Sequence, residues 1–320
     1  MELFYHLLVN PNSGGGQGRI AGEQVIQYLK AAKLPYSARF TSHPDHERRL
    51  IQEMAVHDLK TFDEKMPPDE VYPLLVVIGG DGTIHQVVNE LYRLNKQIPI
   101  AYIPAGSGND FARGLGLTCD PIAIMKQIIA TKEPRECSII HYIEEIYQEE
   151  GLALNNIGIG LDAAIVYETN HSKIKGLLQK FNLHSFSYLS SVIRTLMKQR
   201  PFPILVETNG KQYSYPKTYL CTTSNHPYFG GGVPIAPNAS VHNEKVDLVV
   251  IEKPSWLLVP WIAFHIFRRT HLNKKFCHYF QANKIKIVST IAEHGQADGE
   301  EMGERSFDIT FTTQKQLFWY

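Results

Sequence analysis

The chain has 320 residues, of which 43% are hydrophobic and 11% aromatic, so it is long enough for two globular domains with separate cores. Lys and Arg together number 32, as do Asp and Glu, and the net charge is zero with His neutral. This balance excludes a general electrostatic attraction to nucleic acid, and we expect no nucleic-acid partner. No apolar stretch approaches the roughly 20 residues that a membrane-spanning helix needs.

The cysteines and the N-terminus indicate a cytoplasmic protein. The four cysteines include no C-x-x-C pair, which is typical of reduced thiols rather than of a disulfide framework. Residues 3–9 form a strand-like apolar run with no basic segment before it, so we expect no signal peptide. The 14 His residues lack the spacing of a zinc site. Any membrane contact is therefore expected to be peripheral, at the inner face of the membrane.

The first 130 residues alternate between strand and helix patterns. This order predicts an α/β domain with a parallel sheet covered by helices on both faces. A polar stretch with two prolines, residues 58–72, is expected to be a surface loop. The predicted strands are 3–9, 36–41, 73–78 and 98–103, and the predicted helices are 18–33, 46–57, 83–95 and 110–115.

Four polar segments fall at the carboxyl ends of these strands, where sheets of this kind bind their ligands. Glycine lets backbone N–H groups approach a phosphate closely, and an Asp in such a loop can hold Mg²⁺ or a reacting hydroxyl. Their position at one edge of the sheet predicts a nucleotide-phosphate site. The segments are residues 10–18 (Asn-Pro-Asn-Ser-Gly-Gly-Gly-Gln-Gly), Thr41, residues 79–83 (Gly-Gly-Asp-Gly-Thr) and residues 104–110 (Pro-Ala-Gly-Ser-Gly-Asn-Asp).

Each of these loops alone is also explained by ordinary turn chemistry. The first loop lacks the Gly-Lys-[Ser/Thr] ending of a Walker loop and the glycine spacing of a dinucleotide fingerprint. Thr83 is predicted to cap the helix that follows it, and Asn109 or Asp110 to cap the helix at 110–115.

From about residue 135, strand-like runs come at short spacing and predict a mostly antiparallel β-sandwich. Asn209-Gly210 lies between two such runs and is a strong signal for a hairpin turn. Helices are expected at 185–198 and 255–268. The predicted strands are 137–146, 152–159, 204–208, 211–215, 218–223, 246–251, 284–289 and 307–312.

Three late segments have two interpretations each. Asp298 and Glu300 flank a glycine, and in an extended segment both would project to one face as a general base and a metal ligand, the alternative being a solvated acidic turn. Residues 228–233 (Tyr-Phe-Gly-Gly-Gly-Val) predict a mobile flap over a site or a β-bulge. Residues 256–269 are apolar with a basic end, which is typical of a membrane-interface helix or of a helix that covers the β half.

Five motifs occur together, in order, over nearly the whole chain. Their series resembles the bacterial diacylglycerol kinase-like lipid kinases, which are relatives of sphingosine and ceramide kinases. The motifs are Gly-Gly-Asp-Gly-Thr (79–83), Pro-Ala-Gly-Ser-Gly-Asn-Asp-Phe-Ala-Arg (104–113), Asn-Ile-Gly-Ile-Gly-Leu-Asp-Ala (156–163), Gly-Gly-Gly-Val-Pro-Ile-Ala-Pro-Asn-Ala (230–239) and Gln-Ala-Asp-Gly-Glu (296–300).

This resemblance implies ATP-dependent phosphorylation of a lipid hydroxyl, on diacylglycerol or a related glycerolipid, at a membrane surface. It implies a nucleotide-binding catalytic domain at residues 1–134, similar to phosphofructokinase and NAD kinase, and a β-sandwich lipid domain at 135–300. Residues 301–320 are expected to return to the first domain, and the active site lies in the cleft between the two. A homodimer is compatible with the sequence, which encodes no oligomeric state that we recognise.

The resemblance also transfers roles to single residues. Asp81 and Asp110 would arrange Mg²⁺, the phosphates and the acceptor, while Glu300 would be the general base with Asp298 supporting it. Nucleotide contacts fall on Asn10, Pro11, Asn12, Ser13, Gly14, Thr41, Gly79, Gly80, Asp81, Gly82, Thr83, Ile84, His85, Ser107 and Asn109.

A structural Mg²⁺ site of the family transfers to Ser240, Asn243 and Lys245, with Ser240 and Lys245 acting through backbone carbonyls. Asn243 stands where the family has a carboxylate and Glu244 where it has glycine, so Mg²⁺ should bind more weakly here. Two other hypotheses remain. One is an NAD kinase-like enzyme, which would share the loop at 79–83. The other is a catalytically silent lipid or nucleotide sensor, which the altered segment at 243–244 motivates.

Overall fold

The computed structural model describes residues 2–63, 70–171 and 195–320, without the side chain of Trp256. Part of the predicted loop at 58–72 and most of the predicted helix at 185–198 lie outside the described residues, although residues 195–198 are helical.

The first half alternates strands and helices. Strand β1 pairs in parallel with β2 and with β3, and β3 pairs in parallel with β4, so all four strands end at the same edge. The strands are β1 (Glu2–Val9), β2 (Tyr36–Phe40), β3 (Val71–Gly79) and β4 (Ile100–Pro104), and the helices are α1 (Gln17–Ala31), α2 (His46–His57), α3 (Asp81–Arg93), α4 (Asp110–Gly114) and α5 (Pro121–Ala130).

Side chains of β3 enter two different cores because successive residues of a strand point to opposite faces. Leu75 and Val77 pack in a cluster with residues of α2 and α3, whereas Leu74 and Val76 pack with residues of α1 and α5. The central strand is therefore covered on both sides, as its continuous apolar run predicts.

The start of α3 differs from the sequence prediction. The helix begins at Asp81 rather than at Thr83, and the predicted cap by Thr83 is wrong, because no side chain caps this helix. Instead, the Thr83 hydroxyl accepts a hydrogen bond from Asn10 at 3.0 Å and lies 3.4 Å from Ser13 Oγ. The Thr83 hydroxyl, which the local sequence predicted to cap α3, is therefore engaged in a long-range hydrogen bond instead.

The second half is mostly antiparallel. Asn209 and Gly210 form the predicted two-residue turn, with φ of 51° and 70°. The strands are β5 (Arg135–Glu144), β6 (Glu149–Ala153), β7 (Asn156–Gly160), β8 (Phe202–Thr208), β9 (Lys211–Ser224), β10 (Val246–Glu252), β11 (Cys277–Ala282), β12 (Ile285–Ala297) and β13 (Glu300–Phe318), and the helices are α6 (Leu161–His171) and α7 (Val259–Phe267), the latter preceded by a 3-10 turn at Trp256–Leu258.

Several of the predicted strands in this half have different limits. The predicted strand at 152–159 is two strands, β6 and β7, because the backbone at 154–156 donates its N–H groups to Asp298 instead of to a neighbouring strand. The two predicted strands at 211–215 and 218–223 are one continuous strand, β9, and β11 was not predicted.

All described strands join one sheet, in which β13 connects the two halves. At 19 residues, β13 spans roughly 60 Å, which is long enough to cross both halves. It runs antiparallel to β12 and β5, and its last residue, Phe318, pairs with Ile100 of β4. Within the described ranges, no helix is both long and apolar enough to cross a membrane.

Trp319 anchors the end of the chain in the core of the first half. It is fully buried, stacks on Tyr72 at a centroid distance of 6.0 Å, and donates its indole N–H to the carbonyl of Ile128 at 3.1 Å. Its backbone N–H also donates to the carbonyl of Ile100.

We predict that Trp319→Ala lowers the free energy of unfolding by about 3–5 kcal/mol, because it leaves a large cavity in the core. Urea unfolding followed by circular dichroism measures the loss. Trp261→Ala is the matched control, since 44% of Trp261 is exposed, and it should cost much less. Equal losses for the two variants would contradict an anchoring role for Trp319.

Candidate active site

Three glycine loops meet at the carboxyl ends of β1, β3 and β4. A Cβ atom on Gly14 would lie 2.5 Å from the carbonyl oxygen of Ala105, and one on Gly106 would lie 2.6 Å from the Cα of Gly80. Any larger residue would push these backbones apart. Glycine is therefore required at the contacts themselves, which explains why the three loops share this composition.

Polar side chains join the first loop to the start of α3. Asn10 donates its amide N–H groups to Thr83 and to buried Glu47, both at 3.0 Å, while its Oδ1 accepts from the backbone of Asn12. Ser13 Oγ accepts from the backbone N–H of Gly80 at 3.1 Å. These contacts fix the orientation of the Asn10 amide. Glu47 helps to orient Asn10, and the sequence analysis missed it because no local motif includes this residue.

The tip of the first loop is open and positively polarised. Gly14, Gly15 and Gly16 have φ values of 57°, 68° and 106°, which side-chain-bearing residues rarely adopt. Side chains built on Gly15 or Gly16 would meet nothing within 4 Å. The loop leads directly into α1, whose N-terminal end favours an anion.

Asp81 holds the third loop in place from the first turn of α3. Its two carboxylate oxygens accept hydrogen bonds from the backbone N–H groups of Asp110 and Phe111, both at 3.1 Å, at the start of α4. Burial, with a smaller contribution from the charge of Asp110, raises the pKa of Asp81 to about 6, against the opposing effect of the two N–H donors. Asp81 thus supplies the cap of α4 from another element.

Asn109 and Ser107 have different surroundings in the third loop. Asn109 stands at the N-cap position of α4 with φ of 53°, but its side chain makes no cap; instead it bonds the N–H and the carbonyl of Gly106, at 2.8 and 3.0 Å. The predicted cap by Asn109 or Asp110 is therefore wrong, because Asp81 supplies it. Ser107 is exposed on the open side of the loop.

Asp110 is shared between the two halves of the molecule. One oxygen pairs with Arg113, one turn further along α4, and the other accepts from the backbone N–H of Gly231 at 2.7 Å. Gly231 belongs to the segment at 228–233, which the sequence analysis interpreted as either a mobile flap or a β-bulge. This segment reaches the site from the β half.

Asp298 lies in a turn, not in the extended segment expected from sequence. Asp298 and Gly299 connect β12 to β13 with φ of 51° and 89°, as an Asp-Gly pair does in a tight hairpin. The Asp298 side chain is fully buried, and its Oδ2 lies 2.8 Å from His85 Nδ1. Its two oxygens also accept backbone N–H groups at residues 154, 155 and 156, at 2.7 to 3.1 Å.

Glu300 is the exposed carboxylate of this turn. Its Oε1 faces the start of α3, because a Cβ built on Gly82 would lie 4.0 Å from it. The structure therefore brings Glu300 to the same helix terminus that carries Asp81, although the two residues are 219 positions apart in the chain. An exposed carboxylate beside a partly buried carboxyl pair is an arrangement suited to general base chemistry.

His226 is a buried neighbour of the site that sequence analysis missed. Its Nδ1 accepts the backbone N–H of Tyr228, so the ring proton is on Nε2, which donates to Asn155 Oδ1 at 2.8 Å. Its ring packs near Phe111 of the first half. Burial lowers the pKa of His226 to about 4. A run of buried polar residues at the end of β9 and just beyond it, Thr-Thr-Ser-Asn-His at 222–226, was the available signal.

Some of the predicted site residues are not on the open side of these loops. Ile84 is fully buried in the hydrophobic core, and His85 is turned towards Asp298. Thr41 is buried, with its N–H bonded to the carbonyl of Val9. Pro11 is buried and Asn12 is exposed next to Asn10. Gly79 is buried, and a Cβ there would lie 2.7 Å from the Thr83 side chain.

The segment predicted as a structural Mg²⁺ site is a turn closed by its own hydrogen bonds. Asn243 Oδ1 accepts from the backbone of Lys245 at 3.0 Å, and the carbonyl of Ser240 accepts from Asn243. The ammonium of Lys315 lies 3.1 Å from Glu244. Two candidate ligand oxygens, Asn243 Oδ1 and the Ser240 carbonyl, thus already accept hydrogen bonds within the turn, and Lys315 adds positive charge beside it, so the structural Mg²⁺ site stays a prediction.

Asp81 and Asp110 are the other carboxyl groups predicted to bind Mg²⁺, and their oxygens already accept backbone N–H groups and the Arg113 guanidinium. The pKa of Asp81 is raised mainly by burial and to a smaller extent by the charge of Asp110, and a divalent cation would favour the ionised form against both effects. Within the three described ranges, no three His, Cys, Asp or Glu side chains are grouped for a metal. Mg²⁺ at nucleotide sites needs only one or two carboxylates, because phosphate oxygens supply further ligands.

Family models match both halves of the chain. The diacylglycerol kinase catalytic domain matches residues 5–141, and the YegS C-terminal NAD kinase beta sandwich-like domain matches residues 155–314. These matches confirm the predicted division into a catalytic N-terminal half and a β-sandwich C-terminal half. The domain limits at 134 and 300 remain predictions.

Similar proteins cover nearly the whole chain. The chain is 27% identical to "Putative lipid kinase YtlR" of Bacillus subtilis (strain 168), over 95% of this chain and 96% of the relative. It is also 27% identical to "Diacylglycerol kinase" of the same organism, over 93% and 89% of the two chains. A solved structure titled "Crystal structure of a putative diacylglycerol kinase from Bacillus anthracis str. Sterne" has the same fold, with a TM-score of 0.72, 22% identity and coverage of 100% and 97%.

Because His226 stays neutral in the folded protein, we predict a loss of stability in acid. The unfolded chain takes up a proton on this residue below pH 6.5, whereas the folded protein resists it down to about pH 4. The contribution is intact above pH 6.5 and falls by about 3 kcal/mol by pH 4. Urea unfolding across this range measures it, and His226→Gln should flatten the slope whereas exposed His57→Gln should not. An unchanged slope in His226→Gln would disprove the assignment.

Proposed function

Because the chain belongs to the diacylglycerol kinase catalytic-domain family of lipid kinases, we propose that it transfers the γ-phosphoryl group of Mg-ATP to a hydroxyl of diacylglycerol or a related glycerolipid. The observation that carries this proposal is the position of Glu300. Its carboxylate Oε1 faces the start of α3, beside Asp81 and the glycine loops. A candidate base and a candidate phosphate site therefore adjoin each other.

The glycine loops supply the proposed phosphate site. The open glycines at 14–16 and the start of α1 offer backbone N–H groups and a positive helix end to the phosphates of ATP. Asn10, Ser13 and Thr83 hold the loop against α3. Exposed Ser107 would present its hydroxyl from the third loop. Phosphoryl transfer depends mainly on such positioning and on charge stabilisation.

Asp81 and Asp110 would hold Mg²⁺, which neutralises charge on the phosphate oxygens when bound. Glu300 Oε1 accepts the proton of the lipid hydroxyl. The hydroxyl oxygen forms a bond to the γ-phosphorus as the bond to the bridging oxygen breaks, and ADP leaves with the electron pair. Asp298 orients Glu300, because its buried carboxylate fixes the turn that carries the base.

The proposed acceptor rests on the relatives. One relative is named a diacylglycerol kinase, and a lipid acceptor places the enzyme at a membrane surface, with peripheral contact from the cytoplasmic side. The glycine loops would recognise the nucleotide and not the acceptor. A homodimer remains an open prediction.

Transfer of labelled γ-phosphate from Mg-ATP to a panel of lipids in mixed micelles tests the proposal, with NAD in a parallel reaction. Label in diacylglycerol or another glycerolipid supports it. Label in NAD alone would establish the NAD kinase-like alternative. Saturable ATP binding without label in any acceptor would favour a catalytically silent sensor.

We predict that Glu300→Gln lowers kcat by about 10²–10⁴-fold and leaves ATP binding unchanged, because the amide keeps the shape of the side chain but accepts no proton. The measurement pairs the lipid-kinase assay with equilibrium binding of ATP. Glu304→Gln, an exposed residue of the same strand, is the control and should retain activity. Near-normal turnover of Glu300→Gln would remove Glu300 from the role of base.

A further inference from the structure

Five large apolar side chains, here called the α7 face, are exposed on the surface of the β half. Of the nine residues of α7, only Ile262 is buried. Leu257, Phe264 and Phe267 are 67%, 57% and 66% exposed. Soluble surfaces rarely carry so many exposed apolar groups next to each other without a binding role. The α7 face consists of Leu257, Leu258, Trp261, Phe264 and Phe267.

These side chains point in similar directions. Trp261, Phe264 and Phe267 are spaced by three residues, so they follow one side of a helix with 3.6 residues per turn. Leu257 and Leu258, in the 3-10 turn that directly precedes α7, are exposed as well. The result is a continuous apolar ridge, not five isolated groups.

Positive charge surrounds the ridge, although the chain as a whole is neutral. Residues 253–276 contain five Lys and Arg residues and no Asp or Glu. Arg268 lies over the ring of Phe264, with its guanidinium carbon 5.7 Å from the ring centre, and Lys274 Nζ lies 5.5 Å from the centre of Trp261. Aromatic rings flanked by cations match the boundary between lipid tails and anionic headgroups.

The ridge is also continuous with the candidate active site. Arg269, two residues beyond the end of α7, donates to the hydroxyl of Tyr228 at 3.1 Å. The guanidinium carbon of Arg113 lies 5.6 Å from the ring centre of Tyr228, and Arg113 also pairs with Asp110. Gly231 of the same loop donates to Asp110. Tyr228 thus lies between the basic end of α7 and the site.

We propose that the α7 face is the surface on which this protein docks to a lipid bilayer that carries anionic headgroups. This inference rests on the proposed lipid-kinase function, and it identifies the surface of the protein that contacts the membrane. A second copy of the chain fits less well. In a two-fold dimer the same face meets itself, which would bring the Arg268 and Lys274 cations of the two copies together.

Sedimentation with vesicles tests the docking directly, without any phosphoryl transfer. The 320-residue chain is mixed with vesicles of phosphatidylcholine alone or of equal parts phosphatidylcholine and phosphatidylglycerol. We expect binding to the mixed vesicles, weaker binding to phosphatidylcholine, and loss of the difference at high salt. No binding of the unaltered chain to the mixed vesicles would overturn the proposal.

Two pairs of variants separate the apolar and the charged contributions. Phe264→Ser/Phe267→Ser should lower the partition coefficient roughly 100-fold, about ten-fold for each ring. The control Val56→Ser/Ile146→Ser removes two exposed apolar groups elsewhere and should bind normally. Arg268→Gln/Lys275→Gln should weaken binding to the mixed vesicles alone, whereas Lys30→Gln/Lys132→Gln should not. Equal losses in test and control pairs would overturn the assignment of this face.

Two further measurements distinguish the failure of docking from the failure of the proposed function. The Phe264→Ser/Phe267→Ser variant should phosphorylate short-chain diacylglycerol in detergent normally and lose activity on long-chain diacylglycerol in vesicles. Detergent activity in a chain that never binds vesicles would refute docking and keep the lipid kinase. Vesicle binding that depends on the two rings, without phosphorylation of any lipid, would keep docking and refute the lipid kinase. A dimer that becomes monomeric in this variant, without vesicle binding, would assign the face to a second copy.

Discussion

The buried carboxylate of Asp298 is the contact on which the candidate site depends. It bonds His85 on α3 and three successive backbone N–H groups at 154–156, so one side chain ties the turn between β12 and β13 to elements of both halves. Removing a fully buried charged group from such partners leaves several donors unsatisfied. Because Glu300 follows in the same turn, its position is set by these contacts and not by its own side chain.

The glycine loops use the same principle in the first half. Asp81 caps α4 from the first turn of α3, Asn109 closes its own loop, and Ser13 and Thr83 join the first loop to the start of α3. The carboxylates and amides that the motifs contain are thus largely engaged with the backbone. Preorganisation of this kind suits phosphoryl transfer, in which fixed dipoles stabilise charge without rearrangement.

Local pattern was sufficient for the four strands and for helices α1 to α4 of the first half, because buried β3 and the amphipathic helices carry strong periodic signals, whereas α5 was not predicted. It failed where a distant partner decides the structure. Thr83 does not cap α3, because its hydroxyl accepts a hydrogen bond from Asn10. The predicted strand at 152–159 is interrupted, because backbone N–H groups within it donate to Asp298. The family resemblance assigned the role of general base to Glu300. Its position beside α3, however, depends on contacts between residues more than 200 positions apart, which no local sequence window contains.

The loop at 228–233 gives the two halves a common boundary. Three consecutive glycines, Gly230 to Gly232, have φ of 56°, 85° and 101°, so this backbone path is open to glycine and strained for other residues. The Tyr228 hydroxyl accepts a hydrogen bond from Arg269, just beyond α7, and the Gly231 N–H donates to Asp110 in the site. If the two proposals hold, the loop at 228–233 joins the docking surface to the carboxylate pair, which would account for an exposed apolar helix close to a polar site.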